Sequence, residues 1–224
     1  MNKDNAMPMK YTVSQWDGKK VIIGESGMPD TQPANLLIGF HGAESTPENI
    51  LVKCNQLNLS NTLFFFPEGP VDAGNDRWSW WLDGPKQKES VNAFIEHFTN
   101  VIESAGQHMR DKYNAPDFTV SLWGFSQGAA AALVYALMGK HPIAKIASVC
   151  GFLPELPDGL AKNSPTSILG IFGANDEVVP SFLAEHALDE LKANNHKVTV
   201  NETSQGHEIT EENLKQIREF LTIR

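Results

Sequence analysis

Leu122-Trp123-Gly124-Phe125-Ser126-Gln127-Gly128-Ala129-Ala130 joins an apolar run over residues 118–123 to an alanine-rich run over 129–138. The first run reads as a buried strand and the second as a helix, so the chain reverses between them within a few residues. Such a turn strains its central residue and brings strand and helix backbones close enough to exclude a Cβ on either side. Gly124 and Gly128 meet that requirement and leave Ser126 lifted clear, its hydroxyl above the helix N-terminus. Unpaired N–H groups and partial positive charge gather there, which suits an oxyanion forming on a substrate. Gly-x-Ser-x-Gly between strand and helix therefore predicts a nucleophilic Ser126.

Outward from this turn, apolar runs and helical periodicities alternate. Asp17-Gly18 between two alternating segments, 9–16 and 20–23, predicts an antiparallel hairpin at one edge. The span 29–33 reads as loop. Residues 35–40 and 63–66 are continuous apolar runs, the mark of strands covered on both faces. Thr46 and Pro47 predict the start of a helix running to about Leu57. A helix is predicted over 90–113, where Val91, Phe94, Ile95, Phe98, Val101, Ile102 and Ala105 recur at three/four spacing. Further strands are predicted over 143–150, 167–172 and 197–203. A helix over 180–194 and a last one capped by Thr210, with Glu211 and Glu212 in its first turn, complete the pattern. The expected fold is α/β: a mostly parallel sheet with helices on both faces, in one domain spanning 1–224. Chemistry in such sheets gathers at the carboxyl ends of the strands, where the loops after Phe40, Phe66, Trp123, Val149, Phe172 and Thr203 emerge. The long segment 68–88 looks irregular and holds Trp78, Trp80 and Trp81, three of five tryptophans. These indoles either pin the segment to the body of the fold or line a pocket.

Composition narrows the partners. A net charge of −9 and the lack of any basic run argue against nucleic acid and against an anionic membrane surface. Cys54 and Cys150 are too few for a disulfide framework and lack metal-site spacing, so buried free thiols are expected. No secretory h-region and no span-length apolar run is visible, and the expectation is a soluble, cytoplasmic protein with no metal or organic cofactor. A homodimer is left open.

A serine hydroxyl needs a base to take its proton and an acceptor to hold that base in one tautomer. Of seven histidines, His97, His108 and His186 fall on helix patterns, His141 beside Lys140, and His196 in a polar turn. His41 follows an early strand and reads as a brace for its loop. His207 alone lies in a loop after a late strand and after a flexible Gly206, and is the expected base. Asp176, in a Gly-rich turn after residues 167–172, is the expected acid; Asp158 and Asp189 fit worse. Serine, then aspartate, then histidine is the chain order found where the nucleophile sits on such a turn. The expected oxyanion donors are the N–H groups of Gln127, next after the nucleophile, and Ala43, in the loop after residues 35–40. Phe65, Phe66, Trp80, Trp81, Phe152 and Leu153 are the expected apolar substrate-binding residues.

Taken together, Gly-Phe-Ser-Gln-Gly, the strand ending in His41-Gly42, Gly-Ala-Asn-Asp-Glu-Val-Val-Pro from Gly173 and Gly-His-Glu-Ile from Gly206 resemble the carboxylesterase/phospholipase family of α/β-hydrolases, which includes the acyl-protein thioesterases. The resemblance covers nearly the whole chain. Cys150-Gly-Phe-Leu-Pro is similar to that family's Ser-Gly-Tyr-Leu-Pro segment, and Trp81-Leu82-Asp83 to its Trp-Phe-Asp. The resemblance implies an α/β-hydrolase fold and a serine hydrolase acting on a small-molecule ester or an acyl ester or thioester. Ser126, Asp176 and His207 would be its triad, with Ala43 and Gln127 at the oxyanion hole. A lactone or C–C bond hydrolase and a non-catalytic ligand binder are the alternatives on the same fold. Two departures stand out. Phe40-His41-Gly42-Ala43-Glu44 lacks the second glycine of the family's Leu-His-Gly-x-Gly, and the carboxylate it brings is expected to disfavour anionic substrates. The doubled Trp80-Trp81 is expected to narrow the acyl pocket.

Overall fold

A computed structural model describes residues 9–26, 35–115, 118–159, 161 and 164–222. The loop expected over 29–33 lies outside them. The hairpin pairs β1 (Lys10–Trp16) with β2 (Lys19–Ser26), and Trp16 faces Lys19 across the turn. Asp17 and Gly18 both have positive φ, 51° and 76°, as a two-residue turn matched to strand twist requires. Then follow β3 (Asn35–Phe40), α1 (Pro47–Asn55), β4 (Thr62–Pro67), β5 (Val71–Gly74), β6 (Arg77–Ser79) and α2 (Gln87–Tyr113). The chain continues through β7 (Thr119–Phe125), α3 (Gln127–Met138), β8 (Lys145–Val149), β9 (Ser167–Gly173), α4 (Ser181–Ala193), β10 (Lys197–Thr203) and α5 (Glu211–Thr222).

Eight strands form one sheet in the order β1-β2-β4-β3-β7-β8-β9-β10. The hairpin joins β4 antiparallel, and every pairing from β4 to β10 is parallel. Successive residues of the continuous apolar strands serve opposite faces. Leu36, Ile38 and Phe40 join the core under α2, α3 and α4, whereas Leu37 joins the core under α1 and α5. Leu63 and Phe65 divide from Phe64 and Phe66 in the same way, which is why no polar residue interrupts either run. In α3, small alanines let a helix buried on nearly every side lie close to the sheet.

The segment 68–88 differs from its sequence reading. It folds a small two-stranded sheet, β5 with β6, and Ser45 bridges to Trp78 beside it. α2 begins one turn earlier than the periodicity predicts, and Ser90 Oγ accepts the Leu82 N–H at 3.1 Å. Thr46 takes the N-cap position of α1 but makes no side-chain cap, whereas Thr210 caps α5 reciprocally: its Oγ1 accepts the Asn213 N–H at 3.2 Å while Asn213 Oδ1 accepts the Thr210 N–H at 2.9 Å. Among the described residues no helix is long and apolar enough to cross a membrane. Cys54 and Cys150 are buried free thiols.

Candidate active site

Ser126 stands at the end of β7 with φ 55° and ψ −126°, a strained combination for a residue with a side chain. Two backbone hydrogen bonds hold it there: its N–H donates to Val149 O at 2.9 Å, and its carbonyl accepts the Ala130 N–H at 3.0 Å. A Cβ on Gly124 would run into the carbonyl of Gly128, and one on Gly128 into the carbonyls of His41 and Phe40. The glycines are therefore what allows β7, α3 and the end of β3 to meet under the serine.

Asp176 and His207 follow adjacent strands. β9 and β10 pair in parallel with Thr203 opposite Gly173, so their following loops leave the sheet side by side. These loops are tied together by Ala174 N–H to Thr203 O at 2.8 Å, Asn175 N–H to Gln205 O at 3.2 Å and the Asn175 amide to Ser204 O at 2.7 Å. His207 Nδ1 lies 2.8 Å from Asp176 Oδ2, and His207 Nε2 lies 3.0 Å from Ser126 Oγ. Phe125 packs against the imidazole, ring centroids 4.8 Å apart. Burial opposes ionisation of Asp176. The N–H groups of Val179 and Val178, the imidazole of His207 and the thiol of Cys150 outweigh it and hold the carboxyl below its ordinary value. Oδ1 accepts the two backbone bonds at 2.8 and 2.9 Å, leaving Oδ2 for the imidazole.

Cys150 had no assigned role at the site. Its Sγ, Asp176 and His207 offer atoms within 4.8 Å of one another, a grouping that has metal-ligand character on composition alone. Burial, with the neighbouring Asp176 carboxylate, pushes the thiol up to about 12, so Cys150 stays protonated and its S–H hydrogen-bonds to Asp176. Only the position of Cys150 within the Cys-Gly-Phe-Leu-Pro segment could have drawn notice to it.

The loop after β3 lies against the serine: a Cβ on Gly42 would sit 3.8 Å from Ser126 Cβ. Among the described residues no hydrogen-bond acceptor is found for the Ala43 N–H. Gln127 opens α3, where its N–H has no intrahelical acceptor. Its side chain has a task the sequence did not indicate: Oε1 accepts the Trp80 N–H at 2.9 Å, and Nε2 donates to Trp81 O at 3.2 Å. Trp80 Nε1 in turn donates to His41 O at 2.8 Å. Glu44 adopts φ 49°, the left-handed conformation that a glycine would take without strain, and its side chain is exposed.

His41 is a brace, 1 % exposed, with Nδ1 donating to Gly42 O at 2.8 Å and Nε2 accepting the Gly69 N–H at 3.3 Å. Burial pushes its pKa down to about 4. An unfolded chain takes up this proton near pH 6.5 while the folded one refuses it until about pH 4. Stability is thus fully present above pH 6.5 and drains away as pH falls through that window, by about 3 kcal/mol from this residue. His97, His108 and His196, also lowered by burial, act with the same sign. Urea midpoints should fall between pH 7.5 and 5, and the His41 ring protons should show no titration above pH 5.5 by NMR. Ring protons titrating near 6.5 would contradict the assignment.

Among the described residues none of the remaining candidates is hydrogen-bonded to Ser126. His97 Nε2 bonds Glu68 O at 3.2 Å, His141 faces Glu103 at 3.3 Å, and His196 Nδ1 accepts the Thr166 N–H at 3.1 Å. His186 and Asp158 are exposed, and Asp189 pairs with Lys192 at 2.9 Å. The aromatic substrate-binding expectation needs correction. Phe65, Phe66, Trp80 and Trp81 are at most 1 % exposed, and they form core. Trp80 packs edge-on against Phe40 at 4.8 Å and Trp81 against Phe94 at 5.8 Å, so between pinning and pocket-lining these two indoles pin. Phe152 and Leu153 are half-buried at the edge of that core. The cavity at Ser126, about 640 Å³, is instead walled by residues 41–43 and Ser45, Asn49, Ile50 and Lys53 of α1, Phe125, Val178, and His207 with Glu208 and Ile209. Glu44 is not part of that wall.

A parallel sheet entered by an antiparallel hairpin, with the strained serine and the loops bearing Asp176 and His207 at its carboxyl edge, is the architecture of an α/β-hydrolase. Residues 25–224 match the model of the Phospholipase/Carboxylesterase family, and the chain belongs to that family of carboxylic ester hydrolases. Solved structures agree in fold. A Bacillus cereus carboxylesterase is 16% identical with a TM-score of 0.76, over 91% of this chain and 93% of that one. A carboxylesterase from Mesorhizobium loti is 15% identical with a TM-score of 0.77, over 94% and 98%. Zea mays acyl-protein thioesterase 2 is 20% identical with a TM-score of 0.70, over 90% and 97%.

Proposed function

We propose that the protein cleaves carboxylic esters or thioesters through an acyl-enzyme on Ser126. The observation that carries this reading is the continuous run of hydrogen bonds from Ser126 Oγ through His207 to Asp176, at 3.0 and 2.8 Å. With Nδ1–H donating to the Asp176 carboxylate, Nε2 is left as the acceptor that takes the serine proton as Oγ attacks the acyl carbon. Negative charge moves to the former carbonyl oxygen, where the N–H groups of Gln127 and Ala43 receive it. As the tetrahedral intermediate collapses, His207 returns the proton to the departing alcohol or thiol. A water then enters, loses a proton to the same nitrogen and releases the acid, regenerating Ser126. The acyl chain runs along Phe152 and Leu153, and the buried tryptophans hold this wall from beneath rather than touch substrate.

A fluorophosphonate probe tests the assignment. Mass spectrometry of the digested adduct should find one label per chain, on the peptide carrying Ser126. Turnover of an aryl ester without labelling at Ser126 would refute it. Labelling without turnover across a panel of esters and thioesters of increasing acyl length would favour a lactone or C–C bond hydrolase, or a ligand binder, on the same fold.

A further inference from the structure

We propose that Lys53 gives the Ser126 cavity an anion-reading end, so that preferred substrates carry a carboxylate or phosphate on the leaving group; this rests on the acyl-Ser126 reading. Lys53 lies in the last turn of α1, partly buried, and lines the same 640 Å³ cavity as Ser126 and His207. That volume suits a small ligand. The chain carries 27 acidic and 18 basic side chains, and Lys20, for comparison, is paired with Glu48 and Glu68. Among the described residues no carboxylate comes within 4.0 Å of the Lys53 ammonium group.

The rest of the wall sharpens the point. Ile50 is buried and Phe125 and Ile209 are half-buried, so the wall beside Lys53 is partly shielded from water, while His41 is held neutral by burial. Among the described residues Glu208 is the one carboxylate in the wall, and it is exposed, where water and salt screen it. Lys53 is therefore the cation that a ligand inside this cavity meets. The leaving group is the part that lies here, because His207 must pass its proton to the leaving atom. His207 and the two residues after it form the wall, whereas Phe152 and Leu153 take no part in it.

A lysine in the last turn also complements the helix dipole, a role that moves stability and leaves substrate choice untouched. The test separates the two. Acetate esters with matched leaving groups, 4-acetoxybenzoate, 4-acetoxyphenyl phosphate and the neutral 4-acetoxybenzamide, are compared by kcat/KM in the parent, Lys53→Met, Lys53→Arg and Lys53→Glu. The charged-to-neutral ratio should fall about tenfold in Lys53→Met, as loss of a charge-assisted contact predicts. It should survive in Lys53→Arg and fall further in Lys53→Glu. The larger drop identifies carboxylate or phosphate as the cognate group. An unchanged ratio in Lys53→Met, with or without a shifted melting temperature, overturns the proposal. Ser126→Ala run in parallel distinguishes the failures: if it remains active, the acyl-serine reading has failed, and if it is dead while the ratio stays constant, only the role of Lys53 has.

Discussion

Ser126→Ala should lower kcat for a short-chain aryl ester by about 10⁴–10⁶-fold while the melting temperature stays within a degree or so of the parent. The two halves of this expectation have different sources. Among the described residues Ser126 Oγ bonds only to His207, so its removal breaks no link in the scaffold. The bonds that hold the turn, to Val149 O and from Ala130 N–H, belong to the backbone and persist in alanine. The strained φ of 55° costs alanine what it costs serine, since both carry a Cβ. On the proposed acyl-Ser126 mechanism what disappears is the nucleophile, and the proposed oxyanion donors and binding contacts would supply only residual catalysis. Rates within tenfold of the parent would remove Ser126 from the mechanism altogether.

Gly128→Ala should be strongly destabilising. The added Cβ would be driven into the carbonyl groups of His41 and Phe40, and both are backbone atoms at the end of β3 with no flexible tip to give way. Relief requires α3 to move off a sheet against which it is buried on nearly every side. A cost of about 3 kcal/mol or more is expected, read as a lower urea midpoint with an unchanged slope or as failure to accumulate folded protein. Gly206→Ala is the control: its Cβ would meet only Asn175 O at 3.7 Å, an ordinary contact, and its midpoint should hardly move. Equal midpoints for the two variants would mean that the close approach of β3 and α3 does not limit this fold.

Much of the architecture was legible in one dimension because its causes are local. Strands buried on both faces must be apolar at every position, so residues 35–40 and 63–66 declared themselves. Elbow glycines are required wherever strand and helix nearly touch, and the loops bearing Asp176 and His207 sit where a β-α unit of this class ends its strands. The small sheet of β5 and β6 escaped notice because its strands of four and three residues are too short for any alternation to register.

Sequence by itself thus determined the order of the main sheet's strands and the helices between them along the chain, the serine turn, and which acid and which imidazole were candidates to meet it. It also foresaw His41 as a brace. Tertiary structure alone decided what surrounds them. It sent Phe65, Phe66, Trp80 and Trp81 inward, bound the Gln127 amide to the tryptophan segment, set the Cys150 thiol on Asp176 and turned Lys53, not Glu44, toward the cavity. The physical reason is range. Periodicity, glycine sterics and helix starts act over a few neighbouring residues, whereas a cavity wall is assembled from α1, β7 and two distant loops whose nearness exists only after the sheet has formed.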